Sequence, residues 1–256
     1  MNVARGTALA VIGAVALAAC GSSASTARDD GGATITVSAA ASLGDAFSEI
    51  ADRFERTHPG SSIRLNVGSS AQLAAQIEQG APADVVATAD EVTMDRLVRA
   101  GDVADDPQLF AENTLVIVTR PGNPQHIGAL ADLADVDTVA LCVAVAPCGR
   151  YADQVLDRAG VSVPSDRITR GADARATLAA VTQNDAGAAI VYVTDALVAA
   201  HAVSTVSIPA PDNEVARYPI AIVRRTDEVG TARAFVTFVR GPVGQAILVD
   251  HGFLVS

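Results

Sequence analysis

The chain of 256 residues contains no tryptophan and no lysine, and only three tyrosines, three cysteines and two methionines. With aromatic residues at 4% and hydrophobic residues at 50%, the core has to be assembled from Ala, Val, Leu and Ile. Every cation is an arginine, and the 18 Lys plus Arg are outnumbered by 29 Asp plus Glu, for a net charge of −11. That balance argues against nucleic acid as a partner, because a basic footprint is missing. No Walker A pattern occurs and no GxGxxG follows an apolar run, so the common nucleotide-binding classes lose their signature. The four histidines, His58, His126, His201 and His251, are scattered and show no ligand spacing near the cysteines, so no separate cation site and no cofactor are expected. No serine lies in GxSxG and no histidine falls at a junction where it would act as a base. A secreted serine hydrolase using Ser42 or Ser70 is therefore the weaker alternative, and the chain is not read as an enzyme.

What is present begins with a secretory pattern. Arg5 precedes an apolar run from Ala8 to Ala19, which ends in Leu17-Ala18-Ala19-Cys20 followed by Gly21. The run is too short to span a bilayer comfortably, and the small residues before Cys20 mark a cleavage site. Residues 1–19 are read as a lipoprotein signal peptide, with Cys20 as the lipidated residue that anchors the chain to the cell membrane on its extracytoplasmic side. Residues 20–33, small, polar and rich in Gly and Ser, form the spacer. In that oxidising compartment the remaining pair, Cys142 and Cys148, is expected as a disulfide.

From residue 34 onward, β-branched apolar runs alternate with amphipathic helical patterns, which predicts an α/β protein with mainly parallel strands. Strands are expected at 34–39, 63–67, 85–88, 114–119, 138–143, 168–170, 188–193, 205–208 and 218–222. Helices are expected at 44–57, 71–79, 91–100, 129–133, 151–159, 173–182, 195–202 and 231–240. In open α/β sheets, ligands sit beyond the carboxyl ends of the strands, where helix N-termini present unpaired N–H groups. Junctions of that kind here carry small hydroxyl residues: Ala39-Ala40-Ala41-Ser42-Leu43, Gly68-Ser69-Ser70-Ala71 and Val191-Tyr192-Val193-Thr194-Asp195. A fourth, Ala146-Pro147-Cys148-Gly149, also leads into a helix. Taken alone, each serine is an ordinary helix cap, Ser42 with Asp45 in a capping-box spacing. Tyr192 alone is a half-buried strand residue. Together the junctions describe an anion site made of neutral donors.

The segments ITVSAAASLGDAF, GSSAQLAAQIEQGAPADVVATAD, APCGRYADQVL, GADARATLAAV, GAAIVYVTDA and RYPIAIV resemble, in this order, those of the bacterial molybdate-binding proteins of ABC importers. The closing GPVGQAILVDHGF resembles that family's C-terminal helix and tail. The resemblance implies a type II periplasmic-binding-protein fold, in which two α/β lobes joined by a two-segment hinge close on a ligand between them. It places lobe 1 at 34–113 plus 216–256 and lobe 2 at 114–215. It implies oxyanion ligands at Ser42 and Ser70, main-chain N–H donors at Cys148 and Ala174, and the Tyr192 hydroxyl. Cysteine at 148 departs from the family's pattern. The implied ligand is molybdate, with molybdenum entering only as the oxyanion, and tungstate beside it. The implied partner is an ABC permease served by a monomer, and a sulfate- or thiosulfate-binding protein is the alternative.

Elementary chemistry points the same way. A fully deprotonated tetrahedral dianion offers only lone pairs, which a cage of hydroxyl and amide donors matches without a counter-charge. A protonated anion such as hydrogen phosphate needs an acceptor, and no acid falls on these five positions. Arg150, two residues beyond Cys148, is read either as a source of positive potential near the pocket or as a solvated helix-start residue.

Overall fold

A computed structural model of the chain describes residues 33–255. The expected signal peptide 1–19, Cys20 and the spacer as far as residue 32 lie outside the described residues. The elements follow in the order β1 (Thr34–Ala40), α1 (Gly44–Thr57), β2 (Ser62–Gly68), α2 (Ser70–Glu78), β3 (Val85–Ala87), α3 (Glu91–Ala100) and β4 (Gln108–Thr119). Then come β5 (Val139–Cys142), α4 (Pro147–Arg158), β6 (Ile168–Gly171), α5 (Ala174–Thr182), β7 (Ala188–Tyr192), α6 (Val193–Val198), β8 (Ser204–Ser207), β9 (Val215–Ile222), α7 (Val229–Arg240) and α8 (Pro242–Asp250). A 3-10 turn at Ala41–Leu43 joins β1 to α1.

Apolar spacing explains the helices. Along α1, Ala46, Phe47, Ile50, Ala51 and Phe54 recur on one face, and all are buried. The start of α3 is fixed by the Asp90 side chain, which accepts the Thr93 N–H, and its end by Gly101 at φ 76°. The segment 129–133 forms a 3-10 helix (Leu130–Asp135) instead of an α-helix. Helix α4 starts at Pro147 rather than 151, because proline is tolerated in a first turn whose N–H groups have no intrahelical partner.

The strands run in the order β2-β1-β3-β9-β4-β7-β5-β6, with β8 also on β4. The mainly parallel expectation is corrected. Among the described residues four pairings are parallel, β1 with β2 and β3, and β5 with β6 and β7. Four are antiparallel, and every one of those includes β4 or β9. Buried strands of either direction read as the same apolar run, so periodicity does not report direction. Strand β4 begins six residues before the expected 114. Its residues 108–114 pair with β9, while 115–119 pair with β7 and β8, so one strand serves two sheets.

The larger core gathers the scarce aromatics. Phe47 lies 5.8 Å from Phe110 and 6.2 Å from Phe235, and Tyr218 lies 5.4 Å from Phe253. A second core of Val116, Val118, Ala140, Leu178, Val181 and Val191 is aliphatic. Fully burying each such side chain contributes about 1.5–3 kcal/mol, and replacing Phe47 by Ala would cost about 3–5 kcal/mol.

Candidate functional site

The segments that follow β1, β2, β3, β5 and β6 and the end of β7 meet at one small cavity. Its walls are Ala40 to Ser42, Gly68 to Ser70, Ala89, Ala146 to Cys148, Asp173, Ala174 and Tyr192. All five positions singled out from the sequence, Ser42, Ser70, Cys148, Ala174 and Tyr192, lie on it. The cavity is small, about 10 Å³, the space of a single small group.

Neither serine caps a helix. The N-terminal residue of α1 is preceded by Leu43, and no side chain caps it. Ser42 sits in the 3-10 turn, with its Oγ 2.9 Å from Tyr218 Oη on β9. Ser69 occupies the cap position of α2 without making a side-chain cap. The Ser70 Oγ accepts the Ala89 N–H at 3.0 Å, so its own hydrogen remains to be donated.

The main-chain donors come from helix starts. Cys148 follows Pro147 in the first turn of α4, and Ala174 is the first residue of α5, so their N–H groups have no intrahelical acceptor and face the positive end of a helix dipole. The α4 turn is held tightly. Cys142 and Cys148 are joined, with Cα atoms 5.7 Å apart, and a Cβ added at Gly149 would stand 2.2 Å from the Val143 carbonyl oxygen. At α5, Asp173 accepts the Ala176 N–H at 2.9 Å. Asp173 is an acid on the cavity wall that sequence reasoning passed over.

Tyr192 is 1% exposed, and its hydroxyl has no hydrogen-bond partner. Burial, and then the neighbouring Tyr218, push its pKa well above the ordinary tyrosine value. The group therefore remains O–H, a buried donor without an acceptor. Such an orphan costs about 1–3 kcal/mol unless something fills the cavity and accepts its hydrogen.

No cation lines the cavity. Arg150, in the first turns of α4, is partly exposed and pairs with Asp90. Its Nε donates to Asp90 at 3.0 Å, and its guanidinium also reaches the Thr93 hydroxyl at 2.9 Å. On the other side Arg175 pairs with Asp45 at 2.7 Å and donates to the Ala41 carbonyl at 3.0 Å. A neighbouring cavity of about 190 Å³ shares Ser42 and is walled by Arg175, Thr194, Asp195 and His251. Asp195 is buried with its Oδ2 unpartnered, and burial lifts its pKa to about 7 against the lowering effect of Arg175. Among the described residues no cluster of His, Cys, Asp or Glu could hold a metal ion. What the arrangement can do is donate hydrogen bonds from three hydroxyls and two amides into a space for one small acceptor-rich anion.

Sequence reasoning also missed Asn113 and Tyr218, which stand behind Ser42. The one available signal was Asn113, a polar residue entering an apolar run.

Comparisons with known proteins bear on these features. The profile described as bacterial extracellular solute-binding protein matches residues 35–254. The chain is similar to Molybdate-binding protein ModA of Mycobacterium tuberculosis, with 37% identity over 93% of this chain and 92% of that protein. Its fold is similar to that of the Azotobacter vinelandii periplasmic molybdate-binding protein, at TM-score 0.77 and 24% identity, covering 87% of this chain and 99% of that one. It is also similar to the sulfate-binding protein SubI from Mycobacterium tuberculosis, at TM-score 0.78 and 21% identity, covering 86% of each chain.

Proposed function

Because the chain belongs to the bacterial extracellular solute-binding proteins, we propose that it captures molybdate, and tungstate with it, and hands the anion to an ABC permease. Ser42, Ser70 and Tyr192 donate hydroxyl hydrogen bonds to the anion, and Cys148 and Ala174 donate through the main chain. The observation that carries this reading is the Tyr192 hydroxyl, buried, protonated and without an acceptor, in a wall of donors free of cations. A dianion supplies the acceptor that the Tyr192 hydroxyl lacks. The net charge of −11 repels anions at long range, so local dipoles and the fit of the cage have to outweigh it.

The lobes are proposed at 34–113 plus 216–256 and 114–215. Support comes from β4, whose pairing changes from β9 to β7 and β8 between Thr114 and Leu115. Closure between the lobes would be helped by the two ion pairs flanking the cavity, Arg150 with Asp90 and Arg175 with Asp45. The pattern from Arg5 to Gly21 supports signal cleavage and lipidation at Cys20, which would keep a monomeric protein beside its permease on the extracytoplasmic side.

Calorimetric titration of the domain from Thr34 onward tests the function. Molybdate and tungstate are expected to bind far more tightly than sulfate or phosphate, because a cage sized for long metal–oxygen bonds holds shorter anions loosely. Equal or tighter binding of sulfate would reject the proposal. Labelling of Ser42 or Ser70 by a fluorophosphonate would instead favour a hydrolase.

A further inference from the structure

Behind Ser42 runs a buried polar chain that the proposed ligand set does not include. Asn113, on β4, is 1% exposed, and Tyr218, on β9, is fully buried. The Asn113 Oδ1 accepts the Thr114 N–H at 2.9 Å, which fixes the orientation of the amide. Its Nδ2 therefore faces Thr194 Oγ1 at 2.9 Å and, in a longer contact, Tyr218 Oη at 3.5 Å. An amide nitrogen has only hydrogens to give. With a donor on its lone-pair side, the Tyr218 hydroxyl turns its own hydrogen to Ser42 Oγ, 2.9 Å away. Ser42 then accepts from Tyr218, which leaves its own hydrogen free to be donated into the cavity. Ser70 is set in the same way by the Ala89 N–H.

We propose that Asn113 and Tyr218 are positioning residues for ligand specificity, which hold the chain Asn113 to Tyr218 to Ser42 in one direction so that the Ser42 hydrogen is left for the anion instead of being spent on Tyr218. The proposal rests on reading Ser42 as an oxyanion ligand. A tetrahedral oxyanion without protons finds donors for its lone pairs. Hydrogen phosphate, of the same charge, has one corner that is an O–H and gains nothing from the Ser42 hydrogen, so the relay favours the anion without protons, by protonation rather than by charge or size alone.

Asn113→Asp reverses the relay. A carboxylate accepts only, so Tyr218 would donate to it and accept from Ser42, turning a Ser42 lone pair toward the cavity. Tyr218→Phe removes the relay and lets Ser42 rotate. Dissociation constants for molybdate, sulfate and phosphate are measured by calorimetry, or by competition against molybdate, in a buffer where all three are dianions. In Asn113→Asp the preference for molybdate over phosphate is expected to fall by about tenfold or more, equivalent to one hydrogen bond to a charged group. The preference for molybdate over sulfate, which carries no proton, should stay within about twofold of the parent, and Tyr218→Phe should show a smaller drop of the first ratio alone. Equal weakening of all three anions, or both ratios moving together, would mean that these residues only shape the pocket and would overturn the proposal. Failure of the parent protein to bind molybdate would overturn the functional reading itself.

Discussion

Replacing Tyr192 by Phe deletes one oxygen from the wall of the cavity and leaves the ring in place. In the empty protein that oxygen is buried with no partner, and an orphan of this kind costs about 1–3 kcal/mol. The cavity has room for about one water, which recovers part of the cost, so the gain from deletion falls near the low end, about 1 kcal/mol. For a domain of this size that is a rise in Tm of about 2–4 °C without ligand. With the anion bound, the same deletion removes a hydrogen bond to a charged acceptor, about 1.5–3 kcal/mol, and Kd rises about ten- to a hundredfold. Scanning calorimetry with and without molybdate, beside an isothermal titration, reads both effects. The variant should melt higher than the parent when empty and gain less from saturating molybdate. A lower Tm for the empty variant, together with a Kd within about threefold of the parent, would refute the idea that this hydroxyl waits for a ligand.

At Gly149 an added methyl meets the Val143 carbonyl at 2.2 Å, so Gly149→Ala should cost about 1–3 kcal/mol of stability and, by shifting the Cys148 amide, weaken molybdate binding about tenfold; Gly230→Ala, with nothing within 4 Å of the new Cβ, is the neutral control in denaturant melts and titrations. Asp195 has its pKa raised from 3.8 to about 7 by burial, so between those values the folded state holds a proton that the unfolded chain releases. Stability from this group is therefore lost as pH rises through that window, and Asp195→Asn should gain on the parent by a few kcal/mol from acid to neutral pH in urea titrations. A pH-independent difference would contradict the burial argument. Cys20→Ala should move the protein from the membrane to the soluble fraction, and persistence in salt-washed membranes would exclude lipid anchoring.

The junctions that carry the cavity were legible because their chemistry is local. A hydroxyl or small residue at the end of an apolar run, followed by a helix, can be read from a dozen adjacent residues, as at Ser42, Ser70 and Tyr192. The partners of those hydroxyls were not legible. Tyr218 lies 176 positions from Ser42, and Asn113 lies 105 from Tyr218. Their meeting depends on β9 running antiparallel to β4, which no window of sequence reports. The start of β4 was missed for the same reason: Glu112 and Asn113 break the apolar run, and only pairing with β9 makes them strand. The partner of Arg150 was not legible either, because Asp90 is a helix cap 60 positions away.

The absence of tryptophan has an optical consequence. The protein's near-ultraviolet emission comes from three tyrosines alone, and two of them, Tyr192 on the cavity wall and Tyr218 behind Ser42, have ring centroids 6.0 Å apart. The Tyr192 hydroxyl has no partner, and the Tyr218 hydroxyl is bonded to Ser42 on the cavity wall. An anion that takes up the Tyr192 hydrogen changes the surroundings of one emitter and the coupling within the pair, against a background of a single remaining tyrosine, Tyr151. With the proposed ligand set, the unlabelled protein contains its own fluorescent reporter of occupancy.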